Sequence, residues 1–296
     1  MQRPQLINNK KFELRRFYDS LWKYGIYLFG ASAFIILLLI ALFVIREGYP
    51  AFNNVGIWEF VTGTKWDVAG KQFGILPMII GSIYVTLGAL VIAVPLGIFC
   101  AIFLTDVAPI KLRGVVRPAL ELLVGIPSVI YGLVGMLMLV PIIQSSGHGS
   151  GDSILAASIV LAVMVLPTIV SISEDSINAV PSIYREGALA LGATKWQMIW
   201  YVVLPSAKSG IIASIVLGMG RAIGETMAMI MVIGNSLIIP DSIFSSARTL
   251  TGTLALELKY ASGLHWNALF ATGVVLFVFI IIVNSFGLLL LRNRER

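Results

Sequence analysis

The sequence predicts an all-α integral membrane protein with six transmembrane helices, and three observations predict it. Hydrophobic residues make up 58% of the 296 positions and charged residues only 12%, where a soluble domain carries about a quarter charged residues. Six apolar runs are long enough to cross a bilayer, which takes roughly 20 residues in a helix. Lysines and arginines gather in alternate connections between those runs. A chain this apolar would expose large adhesive patches in water.

Residues 1–23 form an N-terminal tail. Its stretch KKFELRRFYDSLWKYG sets Phe12, Phe17 and Leu21 among basic residues, which fits a short helix lying in the membrane interface or a solvated tail. The first span, 24–45, is unbroken by charge. It is too long for a signal-peptide core and no small-residue cleavage site follows, so it is expected to stay. Residues 46–74 make the loop beyond it. The segment 75–291 holds the other five spans: 75–104, 119–143, 153–172, 207–233 and 266–291. A short tail, 292–296, closes the chain.

Positive charge sets the orientation. Fifteen lysines and arginines lie in the N-terminal tail, the second-to-third loop, the fourth-to-fifth loop with its edge, and the C-terminus; five lie in the other connections, and Arg221 falls inside a span. Positive charge is retained on the cytoplasmic side, so both termini are expected there, in agreement with an even number of spans. The net charge of +6 is thereby a topology signal and not a nucleic-acid footprint. The single cysteine, Cys100, excludes an intrachain disulfide and reads as a packing residue. His148, alone in SSGHGSG, makes no metal site, and His265 beside Trp266 reads as an interface residue. Residues 249–260 fit a short surface helix. There is no G-x-x-x-x-G-K-[ST] loop, no HExxH and no nucleophile–base set. The chain is expected to be no enzyme and to bind no cofactor, with energy supplied by another chain.

The loop 174–206 carries a pattern. Pro181 sits near the first turn of one short helix that runs through Tyr184 to Leu191. Gly192 ends it through a positive φ. Thr194 caps a second helix through Trp196 and Ile199 to about Tyr201, and Pro205 ends that one. Glu186-Gly187-Ala188, then Gly192, then Val202-Val203-Leu204-Pro205 resembles the EAA signature of ABC importer permeases, with Gly187 in place of the first alanine and Val202 in place of isoleucine. The resemblance implies a type I ABC importer permease fold and a pair of coupling helices. Glu186, Gly187, Ala188, Gly192, Leu204 and Pro205 would meet a groove on a cytoplasmic ATPase. Gly192 would let the two helices cross closely.

GMGRAIGETMAMIM, residues 218–231, sets two charges among apolar and small residues. Arg221 and Glu225 are four apart and share one face of a helix. A charge at bilayer centre costs roughly 2.5–3.5 kcal/mol on insertion scales, and arginine cannot shed its proton. Both groups therefore need a partner, a cavity or each other. Ser214/Gly218 and Gly220/Gly224 have the spacing that lets another helix approach closely. Two readings follow: a buried ion pair that fixes register, or a charged group beside a polar path, where arginine suits an oxyanion and Glu225 holds or tunes it. In the third span Gly125-Ile126-Pro127-Ser128 interrupts the apolar run, as breaks facing protein or a cavity do; Ser128 and Tyr131 offer hydroxyls. Glu121 can pair with Arg117, four residues before it.

LGMGRAIGETMAMIMVIGN, with LELLVGIPSVIYGLVG at 120–135, SGLHWNALF at 262–270 and FVTGTKWDV at 60–68, resembles the PstC-type permease subunits of phosphate-specific ABC importers over most of the chain from about residue 60 to 284. That resemblance implies inorganic phosphate as solute and Arg221, Glu225, Ser128 and Thr226 along its path. It implies a bacterial cytoplasmic (inner) membrane location and ATP with magnesium in the partner ATPase. The implied partners are a PstA-type permease, a PstB-type ATPase dimer and an extracytoplasmic PstS-type phosphate-binding protein. Trp58, Phe60, Trp66 and Phe73 would then anchor at the interface or touch that binding protein. The alternatives are an ABC permease for another oxyanion, sulfate or molybdate, and a secondary anion transporter.

Overall fold

The structure, a computed structural model, describes residues 9–147 and 149–292. His148 lies outside the described residues, as do Arg3, Arg294 and Arg296 of the charge pattern. The chain forms two compact units, Met1–Glu47 and Gly48–Arg296.

Helix α1, Asn9–Val55, starts well before the apolar run. Residues 9–23 are neither a free tail nor a separate helix; they are the first turns of α1. Lysine, arginine, glutamate and leucine, good helix formers, recur through this stretch, with no glycine or proline between Asn9 and Gly25. Trp22, Ile26, Phe29 and Phe34 are exposed, as lipid-facing side chains are. The helix also continues past Arg46. In the second unit its last turns pack against a later helix: a Cβ on Gly48 would lie 2.8 Å from Ala271 N, and Ala51 is fully buried.

The next segment is folded, not a loop. It holds α2, Ile57–Thr62, and the antiparallel pair β1, Trp66–Asp67, and β2, Gln72–Phe73. Phe60, Trp66 and Phe73 are buried with Ala51, Ile75, Met78, Leu250 and Leu269. Three of the four expected interface aromatics are therefore core residues, and Trp58 alone of them is exposed, at 81%.

Helices α3, Leu76–Ile102, α4, Ile110–Gly125, α5, Ser128–Val134, α6, Val140–Ser145, and α7, Ile154–Asn178, follow. A π turn, Phe103–Val107, extends α3, and another, Gly135–Leu139, joins α5 to α6. The third crossing is Ser128–Ser145 and starts at the break. Pro127 disfavours helical backbone at Ile126, which has φ −72° and ψ 127°, so α4 is a separate exposed helix. Ser153 starts α7 by accepting from Ala156 N at 3.2 Å.

Helix α7 is the central strut. It packs along α3, where Gly97 brings the backbone close to Ile169: a Cβ there would lie 2.7 Å from its Cγ2. It also packs on α11, Lys208–Gly224. A Cβ on Gly218 would lie 2.9 Å from Val165, and the buried hydroxyls of Ser173 and Ser214 are 2.9 Å apart. The Ser214/Gly218 pair does mark a close helix contact. Gly220 and Gly224 do not: a Cβ would meet only Asn284 Oδ1, at 3.6 Å, and nothing within 4 Å, respectively.

Between α7 and α11 lie α8, Ser182–Ala190, α9, Lys195–Met198, a π turn Ile199–Val203 and α10, Leu204–Ser206. After α11 come α12, Met227–Val232, α13, Leu250–Glu257, and α14, Leu264–Arg292. The first turn of α13, Leu250–Thr253, is buried, so this is not a surface helix. Among the described residues, five helices are long and apolar enough to cross a membrane. The sixth segment is bent: Lys195–Ser206 and α11 meet at 68°.

Candidate functional site

Arg221 and Glu225 do not share a helix face. Helix α11 ends at Gly224, Glu225 is extended with φ −69° and ψ 137°, and Thr226 follows with φ −127° and ψ −61°. Among the described residues no ion pair joins them. Arg221 is exposed, and its Nη1 donates to Thr168 Oγ1 of α7 at 3.1 Å. Glu225 turns to the start of α12, where Oε1 accepts from Ala228 N at 3.3 Å; a carboxylate is favourable there. The break is held from outside: Thr251 Oγ1 donates to the Glu225 carbonyl at 2.8 Å. Thr226 Oγ1 donates to the Gly224 carbonyl at 3.2 Å. Freed backbone groups in a membrane segment need such partners.

The break before α5 lies beside this one. A Cβ on Gly132 would be 2.8 Å from Ala228 Cα, so α5 and α12 touch backbone to backbone. Ser128 sits one helical turn before Gly132, and Glu225 lies three residues before Ala228, outside α12. Ser128 is half-buried. Tyr131 donates to the Leu123 carbonyl at 2.7 Å and ties the two sides of its own break. Arg221 thus lies in the last turn of α11, Glu225 and Thr226 in the break before α12, and Ser128 at the start of α5, the helix that touches α12. Thr168 and Thr251 escaped sequence reasoning; a threonine directly after Pro167 in an apolar span was the available signal for the first.

The hairpin after α7 matches its sequence pattern in most respects. Gly192 has φ +83°. A Cβ there would meet nothing within 4 Å, so glycine is needed for the backbone angle and not for a close crossing. Thr194 forms a reciprocal capping box with Gln197. Pro205 does not end its helix. It removes an N–H and crowds the carbonyl four residues back, and the π turn Ile199–Val203 absorbs this; the bend comes two residues later. Met198, Ile199 and Val203 are buried against Ala101, Ile102 and Ile177, and Leu204 packs partly on them. Glu186 and Gly187 are exposed and Ala188 is half-buried. Ile183, Tyr184 and Trp196 are exposed, and Leu191 is 91% exposed, which leaves an apolar tip.

Two polar networks complete the picture. Arg117 lies 3.6 Å from Glu121, as the spacing suggests, and also 3.7 Å from Glu174. Glu257 accepts from Trp66 Nε1 at 2.9 Å, pairs with Arg248, and lies 2.9 Å from His265 Nε2. His265 is therefore a network member stacked on Phe73 and not an interface anchor.

The family of binding-protein-dependent transport system inner membrane components matches residues 93–296. The chain belongs to that family. It is 44% identical over 256 residues to the probable ABC transporter permease protein YqgH of Bacillus subtilis (strain 168), covering 83% of each. It is 35% identical over 288 residues to the phosphate transport system permease protein PstC of Pasteurella multocida (strain Pm70), covering 90% of each. A bacterial ABC transporter involved in alginate import shares the fold, with a TM-score of 0.68 at 17% identity over 96% of this chain and 99% of that one. The architecture is that of a type I ABC importer permease, a multi-pass inner-membrane protein.

Proposed function

We propose that this chain is the permease subunit of an ATP-driven importer that moves inorganic phosphate by alternating access. The observation that carries the reading is an exposed guanidinium on a membrane-spanning helix, next to two interrupted helices, in a chain similar to phosphate permeases. A permanent charge cannot face lipid at this depth without a cost of roughly 2.5–3.5 kcal/mol. The face bearing Arg221 is therefore covered by a homologous PstA-type permease, and the path runs between the two. Arg221 favours an oxyanion by charge and by its planar donors. Thr226 and Ser128 contribute hydroxyls, and Glu225 sets the local field.

The apolar tip with Glu186, Gly187 and Gly192 docks into a PstB-type ATPase, where ATP and magnesium reside; a PstS-type protein delivers phosphate from the other side. Closure of the ATPase pair draws the hairpins together and opens the path outward, and hydrolysis returns it. The test is solute uptake by the reconstituted complex. Arg221→Gln and Glu225→Gln are compared with the parent for phosphate, sulfate and molybdate. Losing one charge-assisted contact of about 1.5–3 kcal/mol lowers phosphate uptake roughly 10- to 100-fold. Full uptake in both variants sinks the path assignment, and faster sulfate or molybdate uptake in the parent sinks the phosphate assignment.

A further inference from the structure

The EAA-like motif exposes Glu186 and Gly187 on α8, yet the helix bearing them must be held. We propose that Asp106 and Arg185 form a clamp that fastens the coupling hairpin to the ends of α3 and α7. Their role is to make a displacement of the hairpin a displacement of the spans. The proposal rests on the coupling role given to the hairpin above and not on the identity of the solute.

Arg185 stands on α8, one residue before Glu186, and its side chain is only 21% exposed. Its Nη1 pairs with Asp106 Oδ1, and its Nη2 donates to the Ile177 carbonyl in the last turn of α7 at 2.8 Å. One guanidinium thus bridges three elements, as a planar fork of donors can and an ammonium cannot. The Asp106 side chain is 5% exposed, and the residue lies in the π turn that prolongs α3. Its other oxygen, Oδ2, accepts from Thr105 Oγ1 at 3.0 Å. Arg113 at the start of α4 braces the same turn, donating to the Thr105 and Ala108 carbonyls at 2.6 and 2.9 Å.

Beneath the clamp, Ile177 and Ile102 are buried with Met198 and Ile199 of the returning limb. This apolar seam holds the second limb of the hairpin, and the clamp holds the first. Without the clamp α8 keeps its fold but can tilt on Gly192. The ATPase then still binds the hairpin, while its closure bends the hairpin instead of moving α3 and α7.

The experiment uses the whole complex in liposomes and nanodiscs. Asp106→Asn, Arg185→Gln and the exchanged pair Asp106→Arg with Arg185→Asp are compared with the parent. Phosphate moved per ATP hydrolysed falls about tenfold in each single variant and recovers at least in part in the exchanged pair, the signature of direct coupling. Backbone amides of residues 182–191 exchange faster in the single variants, with the ATPase still bound in the parent's proportion. The clamp is refuted if the single variants keep the parent's ratio. It is refuted equally if uptake and hydrolysis fall together with the amount of assembled complex, as a merely structural role would have it. Amide exchange needs no solute, so a parent that carries no phosphate counts against the solute assignment, and exchange rates then decide the clamp.

Discussion

Replacing Gly132 by alanine drives a methyl into the contact between the two interrupted helices. The added Cβ would lie 2.8 Å from Ala228 Cα, 2.9 Å from Met231 Sδ and 3.2 Å from the Ala228 carbonyl oxygen. Carbon atoms rest about 3.5–4.0 Å apart, so α5 must retreat from α12 by the better part of an ångström. Met231 can move; the Ala228 backbone cannot without shifting α12 and the break before it. Overpacking of this kind costs about 1–3 kcal/mol. The internal control is Gly125→Ala, at the end of α4 beside the same break, where a Cβ meets nothing within 4 Å. Alanine at a helical position is favoured over glycine by roughly 0.5–1 kcal/mol. Thermal unfolding of the purified complex and initial uptake rates read both variants. Gly132→Ala unfolds earlier and transports more slowly, and Gly125→Ala matches or exceeds the parent in stability. Equal behaviour of the two alanines would refute the claim that backbone contact between α5 and α12 sets the two breaks.

Thr194→Ala removes half of the reciprocal cap and costs about 1 kcal/mol of local helix stability, seen as faster amide exchange at residues 195–198 with the rest of the chain unchanged. Glu257→Gln removes the charge that Arg248, His265 and Trp66 share and lowers stability by about 1.5–3 kcal/mol, measured by thermal unfolding. Burial pushes the Asp152 carboxyl above the ordinary aspartate value. The folded chain holds that proton more tightly than the unfolded chain, so Asp152 loses favour as pH rises through its raised value. Asp152→Asn is therefore more stable than the parent at neutral pH, and the gap closes on acidification below about pH 4.

Local signals were legible and distant ones were not. Pro127 stated its break through its own ring and the residue before it. Gly192 and Thr194 stated theirs through one backbone angle and one hydroxyl. The break at Glu225 carries no proline. Its freed Glu225 carbonyl is held by Thr251, 26 residues on, and no periodicity within α11 encodes that partner. The spacing of Arg221 and Glu225 therefore suggested a shared helix face that tertiary bonding removes. The same holds for Trp66, whose indole meets a carboxylate 191 positions away. Aromatic residues flanking an apolar run look alike in sequence whether they face headgroups or a core. Pro205 misled in the other direction, because a π turn keeps a helix intact where a standard turn would end.

Helix α7 connects the two candidate regions. Its Ile177 carbonyl receives Arg185 from the hairpin, and its Thr168 hydroxyl receives Arg221. Nine residues separate them, about 14 Å along an α-helix. Ser173, between them, is bonded to Ser214 of α11, so α7 and α11 are joined at an intermediate level as well. Pro167, one residue before Thr168, lacks the N–H that would complete a backbone rung at that level, and α7 is softest there. A tilt of the lower half of α7 would therefore bend it at Pro167 and displace Thr168 relative to the guanidinium. Thr168→Val keeps the shape and deletes the acceptor. If the bond reports hairpin position, this variant frees Arg221 in every state and raises the apparent KM for solute, while hydrolysis by the docked ATPase stays as in the parent. An unchanged KM would mean that Arg221 is oriented by the partner permease and that α7 carries no information from one region to the other.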